Sequence, residues 1–361
     1  MTIISWLSLR LQNTKVATIA HHISFFEIWW LFFISWQNFS VLLVFSFLLL
    51  TYTKLEVILI ILIIKVFYMK IFDMHIHTHG KKCEKDNLLA KMNEIGVFGG
   101  CVISTNPIEY SEIDGLDFDK RVQKIIEWKE DDRLFPVVWI HPFEKDIVEK
   151  VKGIKNSGIV ALKIICNNFS VSEDKAFNVI KQISEQSNLP IIFHSGILWD
   201  GKCSSKYNRP IEFERLIELD NLRFALAHCS WPWIDECISL YGKFANCTRH
   251  NHAEMFFDLT AGTPEIYRRE LLTKLFTIGY DVPDNILFGT DCDGENYSTK
   301  WARKWLDIDN KIYDELSVSN SFKQKIYQDN LMRFLGFTKL DKKFAPMTCD
   351  GENRWSMTEN K

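Results

Sequence analysis

The sequence predicts an α/β protein, a (β/α)8 TIM barrel preceded by a hydrophobic N-terminal segment. From residue 69 onward, eight short apolar runs alternate with stretches of helical periodicity. The runs are near-continuous in hydrophobicity, as parallel strands are when both faces of the sheet are covered. A doubly wound open sheet is the structural alternative, but no G-x-G-x-x-G follows the first strand, which removes its commonest ligand motif.

The predicted strands are the apolar runs that end at turn or polar residues. They cover 69–77, 97–103, 134–141, 159–165, 190–194, 222–228, 256–260 and 286–291. Helical spacing predicts helices over 87–95, 120–128, 147–154 and 322–335, and a capping box from Ser170 to Glu173 predicts the start of another that runs to about residue 186. Pro210, Pro232 and Pro264 stand where a first helical residue is expected.

We expect the chain to divide into a hydrophobic segment over 1–68, a barrel domain over 69–337 and a polar tail over 338–361. The apolar runs 41–52 and 57–64 together reach the length of about 20 residues needed to cross a bilayer, and 23–36 is a weaker candidate. Lysines follow these runs on the C-terminal side. Because positive residues flank a spanning segment on its cytoplasmic side, they predict that the barrel lies in the cytoplasm. The alternative is that translation starts at Met69. The catalytic domain is therefore expected to be cytoplasmic, and membrane-anchored if residues 1–68 are translated.

Charge and cysteine content narrow the class of partner. Residues 1–68 carry a net charge of +2, which leaves −5 on the remainder of a chain whose total is −3. A mildly acidic domain without a basic stripe argues against nucleic acid. The nine cysteines are scattered and never form C-x-x-C, which favours a reducing compartment. We expect a small-molecule substrate and membrane contact only through residues 1–68. The sequence is also compatible with a homo-oligomer.

The first strand carries Asp73, His75 and His77 at alternating positions, which predicts that all three lie on one face. Later predicted strands end in or near further polar residues. These are His141, Lys163, His194, His228 and Asp291. Each has a structural reading as a buried core histidine, an ion-pair partner or a turn residue. Because the ends of barrel strands converge on one mouth, three imidazoles and a carboxylate there favour Zn²⁺ or another divalent metal such as Mn²⁺.

Four motifs carry a resemblance to a known family. The runs 72–77 (FDMHIH), 192–196 (IFHSG), 226–229 (LAHC) and 288–291 (FGTD) resemble the amidohydrolase superfamily, closest to its amidohydrolase-related (amidohydrolase 2) branch. That branch includes metal-dependent hydrolases and decarboxylases of the aminocarboxymuconate-semialdehyde type. The resemblance covers about residues 69–337. TatD-like DNases also open with His-x-His, but they carry a glutamate at the end of the fourth strand, where this chain has no acidic residue.

The resemblance assigns roles to the site residues. It implies that His75, His77, His194 and Asp291 hold the metal. His228 would be the acid/base histidine that contacts the metal-bound water, or an additional ligand, and Asp291 would also accept the water's proton. Binuclear members use a carboxylated lysine at the end of the fourth strand. Lys163 precedes Ile164, Ile165 and Cys166 and is expected to lie too deep in the strand for this role, so we expect one metal per chain, with Lys163 structural or facing the substrate.

Substrate contacts are sought on the loops at the mouth. The candidates are His141, Lys163, Arg209 and Trp231. Trp231 could form the wall of a pocket for a planar or aromatic substrate, or pack against the start of the next helix. Arg209 could pair with a substrate carboxylate, or lie on the surface.

The sequence therefore predicts a metal-dependent hydrolase in which activated water attacks a C–N or C–O bond of an amide or lactone. The alternative on the same scaffold is metal-dependent, non-oxidative decarboxylation of a small carboxylic acid. A second alternative, of another class, is a non-catalytic barrel tethered to a membrane.

Overall fold

The computed structural model of the chain describes residues 69–130 and 132–338, together with two short strands in the C-terminal tail. The hydrophobic segment 1–68, with its candidate membrane-spanning runs, lies outside the described residues. Within the described part, no helix combines the length and the hydrophobicity needed to span a bilayer.

The sheet is a ring of parallel strands in which each strand lies beside its neighbour in sequence. Its strands are β1 (Ile71–His77), β2 (Val97–Ile103), β3 (Leu134–Trp139), β4 (Ala161–Ile164), β5 (Ile191–Phe193), β6 (Arg223–Leu226), β7 (Glu254–Asp258), β8 (Ile286–Leu287) and β9 (Cys292–Asp293).

The last two strands are halves of one interrupted eighth strand that closes the ring. β8 pairs with β7, and β9 pairs with β1. Between the halves, Met74 donates its backbone N–H to the carbonyl of Phe288 at 2.9 Å, and the N–H of Asp291 donates to the carbonyl of His75 at 3.0 Å. The predicted (β/α)8 barrel is confirmed.

Helices follow most strands and cover the outside of the barrel. They are α1 (Lys85–Glu94), α2 (Phe118–Ile126), α3 (Ile147–Gly153), α4 (Asp174–Ser187), α5 (Ile234–Ala245), α6 (Glu265–Thr277), α7 (Thr299–Glu315), α8 (Asn320–Gln324) and α9 (Asn330–Phe334). A 3₁₀ segment, Pro210–Glu218, takes the place of a helix between β5 and β6.

Two apolar layers hold the barrel together. Alternate residues of the strands separate into an outer layer against the helices and an inner layer within the ring, as in β3, where Val138 packs outside while Val137 and Trp139 pack inside. Leu331 and Phe334 join the inner layer. The polar mouth therefore rests on a filled, apolar interior.

A bulge in β1 changes which of its side chains share a face. Asp73 pairs with Gly100 and Ile76 with Val102, so one extra residue stands in β1 between these two pairs. The alternation shifts accordingly: Phe72 and Met74 pack in the inner layer, whereas Ile76 packs in the outer one. The expectation that Asp73 shares a face with both histidines therefore does not hold.

The ends of some elements differ from the sequence prediction. The capping box at Ser170 is not formed, because the Ser170 hydroxyl contacts Ser172 and Glu212, and α4 begins only after Glu173. The final helix is divided by a π-turn over Lys325–Asp329. Helix α7 was not predicted. In the tail, Met347–Cys349 (β10) and Trp355–Met357 (β11) form an antiparallel pair.

Candidate metal centre

Three of the four predicted metal ligands lie together at the mouth of the barrel. The two Nε2 atoms of His75 and His77 are 3.1 Å apart. Asp291 Oδ1 is 3.9 Å from His75 Nε2 and 3.5 Å from His77 Nε2. One ligand atom from each of the three residues falls within 4.8 Å of the others, which is the spacing of donors around a single cation.

Asp258, at the end of β7, orients the first of these ligands. Its Oδ2 accepts a hydrogen bond from His75 Nδ1 at 2.7 Å, and both side chains are fully buried. Because Nδ1 carries the proton, the lone pair of His75 is on Nε2, the nitrogen that faces His77 and Asp291. Sequence analysis did not select Asp258, because the predicted strand continued to residue 260, whereas β7 ends at Asp258.

The pKa values of the cluster favour metal-binding protonation states. Burial, together with the nearby Lys163 ammonium, lowers the pKa of His75 well below its usual value, and burial lowers that of His77 to about 4. Burial alone would raise the pKa of Asp291, but in the acidic range where this group titrates, positive charge on the neighbouring histidines and on Lys163 outweighs burial and holds that pKa below normal. The histidines are thus neutral and Asp291 ionised, as ligands must be.

His194 and His228 complete the polar side of the mouth. Their ring centroids are 5.0 Å apart, and His228 lies 5.8 Å from the His75 ring. His194 Nε2 donates to the carbonyl of Ile197 at 3.2 Å, which leaves Nδ1 as the nitrogen with a lone pair. Burial also lowers the pKa of His194 well below its usual value. His194 can therefore serve as a further neutral ligand.

The backbone at two of these positions is left-handed. Asp291 has a φ of 60°, and His228, Cys229 and Ser230 have φ of 59°, 43° and 59°. Non-glycine residues rarely adopt this region, and such strain concentrates at functional sites. Among described residues, the buried Nδ1 of His228 has no hydrogen-bond partner. Gly262 lies against this ring, since a Cβ there would be 2.5 Å from His228 Nδ1.

Lys163 reaches the site, in contrast to the expectation that it lies too deep in β4. Its Nζ is 3.2 Å from His75 Nε2 and the side chain is fully buried. Burial lowers the pKa of Lys163 to about 8, although the negative charges of Asp258 and Asp291 act to raise it. The inward alternation of β4 explains the reach, because Ala161 and Ile165 also point into the barrel.

The cluster opens into a cavity of about 420 Å³. Its lining includes four of the predicted site residues, His77, His194, His228 and Asp291, and one predicted substrate contact, Trp231. Tyr110, Leu198 and Trp199 form further parts of the wall, and sequence analysis did not select Tyr110, which stands in a polar loop without a distinguishing motif. This volume is within the usual range for a small-molecule site.

Three predicted substrate residues are not part of this lining: Lys163, which lies against His75, and also His141 and Arg209. His141 is buried, with the Phe143 N–H donating to its Nδ1 at 3.2 Å and its Nε2 facing Asn167 and Asn168 at 3.3 Å each. Arg209 forms an ion pair with Glu236 at 2.6 Å on the surface. Both side chains therefore already have protein partners.

Asp73 stabilises the backbone next to the candidate ligands through hydrogen bonds. Its carboxylate accepts hydrogen bonds from the backbone N–H groups of His75 at 3.1 Å and Thr290 at 3.0 Å, from the Thr290 hydroxyl, and from the Tyr297 hydroxyl at 3.0 Å. Burial raises the pKa of Asp73 to about 7, against these four donors. Asp73 thereby joins the strand that carries the two histidines to the turn that carries Asp291.

The donor set fits a divalent metal. The cluster offers the lone pairs of two imidazoles and one carboxylate oxygen, with His194 alongside, and Zn²⁺ and Mn²⁺ accept this combination of nitrogen and oxygen ligands. The fold and the site together define a (β/α)8 barrel with a His-His-Asp centre at the carboxyl ends of its strands.

Comparison with known proteins gives the family. The sequence profile of the amidohydrolase family matches residues 118–337, and the chain belongs to this family, in the amidohydrolase-related branch. The resemblance drawn from the motifs is confirmed. The matched range includes His194, His228 and Asp291 but begins after β1, so His75 and His77 are placed by the structure. No curated protein matches the chain.

Solved structures share the barrel. A protein of Agrobacterium tumefaciens, crystallised without ligand, aligns with a TM-score of 0.51 at 11% identity over 75% of this chain and 97% of that chain. A Lactobacillus casei protein, provisionally described as a metal-dependent hydrolase, has a TM-score of 0.49 at 11% identity over 75% and 97%. Dihydroorotase from Campylobacter jejuni has a TM-score of 0.46 at 14% identity over 76% and 85%. At these identities the likeness concerns the fold alone.

Proposed function

We propose that this protein is a metal-dependent hydrolase that cleaves a C–N or C–O bond, such as an amide or lactone, in a small molecule. One observation carries the proposal. The ligand atoms of His75, His77 and Asp291 lie within 4.8 Å of one another beside a cavity that His194 and His228 also line. Within the amidohydrolase family, this is the arrangement expected of an intact rather than a relic site.

His75, His77, His194 and Asp291 would hold one metal ion per chain, Zn²⁺ or another divalent ion such as Mn²⁺. When bound, such a metal polarises the scissile bond and lowers the pKa of water towards neutrality. Asp258 holds His75 in the tautomer whose lone pair is on Nε2. Lys163 is assigned a structural or substrate-facing role, with its ammonium against His75.

Proton transfer is assigned to His228 and Asp291. The lowered pKa of Asp291 keeps it ionised, so its carboxylate can accept a hydrogen bond from the attacking water and then the proton. His228 lines the same cavity and is held between Gly262 and the His194 ring, from where it can pass a proton to the leaving group. Both side chains line the cavity that a substrate would occupy.

Metal content and product analysis of the full chain test the proposal. We expect about one equivalent of zinc or manganese per chain by plasma mass spectrometry, and replacement of His75 and His77 together by alanine to abolish it while circular dichroism stays unchanged. A panel of lactones, amides and aromatic carboxylates, with CO₂ release followed in parallel, then separates the reactions. Turnover with CO₂ release but without hydrolysis would select the decarboxylase instead, and an empty wild-type site would select the non-catalytic barrel.

A further inference from the structure

Three aromatic side chains stand around the cavity on separate loops. Tyr110 follows β2, Trp199 follows β5, and Trp231 follows β6. In a ring of eight strands, β2 and β6 are four positions apart, so Tyr110 and Trp231 come from opposite sides of the mouth. A substrate bound over the metal centre therefore has an aromatic wall on either side.

The two facing walls are braced from behind. The Tyr110 ring lies 4.8 Å from the Trp139 ring, and the Trp231 ring lies 5.9 Å from that of Tyr267. Trp199 differs, because it is 84% exposed although it lines the cavity. A flat ligand would gain stacking area from fixed walls at little cost in ordering, and would cover an exposed indole as well.

In the part of the chain that the structure describes, no lysine or arginine side chain faces the cavity to pair with a charged substrate group. Among the described residues that line it, none is lysine or arginine, and the ionisable ones nearest the reaction are the histidines and Asp291. Arg209 is occupied by Glu236 on the surface, and Lys163 is buried beneath His75. A carboxylate or phosphate placed against the aromatic walls would lose hydration without gaining a partner.

We infer that the substrate is a planar, preferably aromatic, compound that is uncharged on the part remote from the reacting bond. This inference rests on the proposed function and adds the class of substrate. Aryl amides and esters and fused-ring lactones satisfy it, whereas aliphatic substrates and dicarboxylates do not. The aromatic walls favour a substrate with a planar ring. Because none of the described lining residues is lysine or arginine, the cavity favours a substrate whose remote part is uncharged.

The test uses three hydroxamates that share one metal-binding group: acetohydroxamate, benzohydroxamate and 4-carboxybenzohydroxamate. Their Kd values are measured by calorimetry on the zinc-loaded full chain. We expect benzohydroxamate to bind roughly tenfold more tightly than acetohydroxamate, because its ring stacks on the walls. Adding the carboxylate should weaken binding by a similar factor.

Variants of Tyr110 and Trp231 test whether these two side chains cause the tighter binding of benzohydroxamate. Trp231→Ala and Tyr110→Ala should each reduce the preference for the ring while acetohydroxamate binds as before, and Trp231→Phe should restore most of it. Trp233→Ala, two residues away and outside the lining, serves as the matched control. Equal affinity for the acetyl and benzoyl compounds, tighter binding of the carboxylated one, or a ring preference that survives both alanine variants would overturn the inference but leave the hydrolase intact. Failure of all three to bind would overturn both.

Discussion

Asp73 and Thr290 are 217 positions apart in the chain, yet the Asp73 carboxylate accepts both the backbone N–H and the hydroxyl of Thr290. The same carboxylate accepts the N–H of His75. One buried side chain therefore fixes the backbone of the strand that carries His75 and His77 and that of the turn before Asp291. The distance between the histidines and Asp291 depends on this link.

Asp73→Asn tests that link. The amide keeps the size of the side chain but presents an NH₂ group to donors that need an acceptor, so we expect the affinity for zinc to fall roughly 10- to 100-fold. Affinity is measured by competition with a chelator, and circular dichroism reports the fold. Tyr297→Phe, which removes one of the four donors, should cost less. An unchanged zinc Kd in Asp73→Asn would show that the turn is held in place by other contacts.

Gly262→Ala should displace His228. The added Cβ would lie 2.5 Å from His228 Nδ1 and 2.6 Å from its Cγ, so the ring must shift out of its position in the cavity. We expect kcat to fall by about 10²-fold or more, the usual size of a lost acid/base contribution, with metal content unchanged. Gly153→Ala is the control, because a Cβ there meets no atom within 4 Å. Loss of metal together with activity would instead make His228 a ligand.

Lys163→Met distinguishes one metal from two. The Lys163 Nζ lies 3.2 Å from His75 Nε2, the nitrogen that the proposed function assigns to the metal, so an ammonium there would repel a cation. In a mononuclear site, methionine should preserve one metal per chain and tighten its binding several-fold. Titration with zinc under competition gives both the stoichiometry and the Kd. A wild-type ratio of two that drops in the variant would identify Lys163 as part of a binuclear centre.

Metal affinity should resist mild acid. Protons compete with metal for imidazole, and burial lowers the pKa of His77 from 6.5 to about 4. A lowered pKa means that the ring stays neutral as the pH falls below 6.5. In the Asp73→Asn variant, which removes the carboxyl group that would itself titrate near 7, zinc affinity should therefore be nearly constant between about pH 7.5 and pH 5.5. Competition titrations at the two pH values provide the measurement. A steep decline that begins near 6.5 would mean ordinary histidines.

A buried ion pair away from the site offers a test of stability. Arg268 and Asp309 are fully buried and joined by two contacts of 2.7 Å each. Asp309→Asn leaves the guanidinium without its counter-charge, and we expect a loss of about 3 kcal/mol in the free energy of unfolding by urea. The double variant Arg268→Met, Asp309→Leu should lose less, since no charge then stays unpaired. A double variant as unstable as the single one would point to packing instead.

The barrel and most of the site could be predicted because both depend on local pattern. Apolar runs locate parallel strands, and the strand ends converge by topology, so His75, His77 and Asp291 could be grouped from the sequence. Asp258 was missed because it stood inside the predicted strand 256–260, whereas β7 in fact ends there. Helix α7 also has a helical apolar pattern, with Ala302, Trp305, Leu306 and Ile312 buried.

Other features depend on pairing between distant segments and leave no local signal. The bulge in β1 exists because β2 pairs with it in a shifted register, which allows the close approach of Gly100 to the Asp73 carbonyl. The reach of Lys163 follows from the inner geometry of the ring. His141 and Arg209 looked free in the sequence because their partners, Asn167, Asn168 and Glu236, come from other elements.

Because the eighth strand is interrupted at the site, the candidate metal centre can form only near the end of synthesis of each chain. His75 is synthesised early, but Thr290 and Asp291 emerge from the ribosome more than two hundred residues afterwards, and they also form the seam between the last and first strands. A nascent chain can neither seal its barrel nor complete its ligand set before that point. Capture of a metal ion would therefore mark molecules that have finished folding.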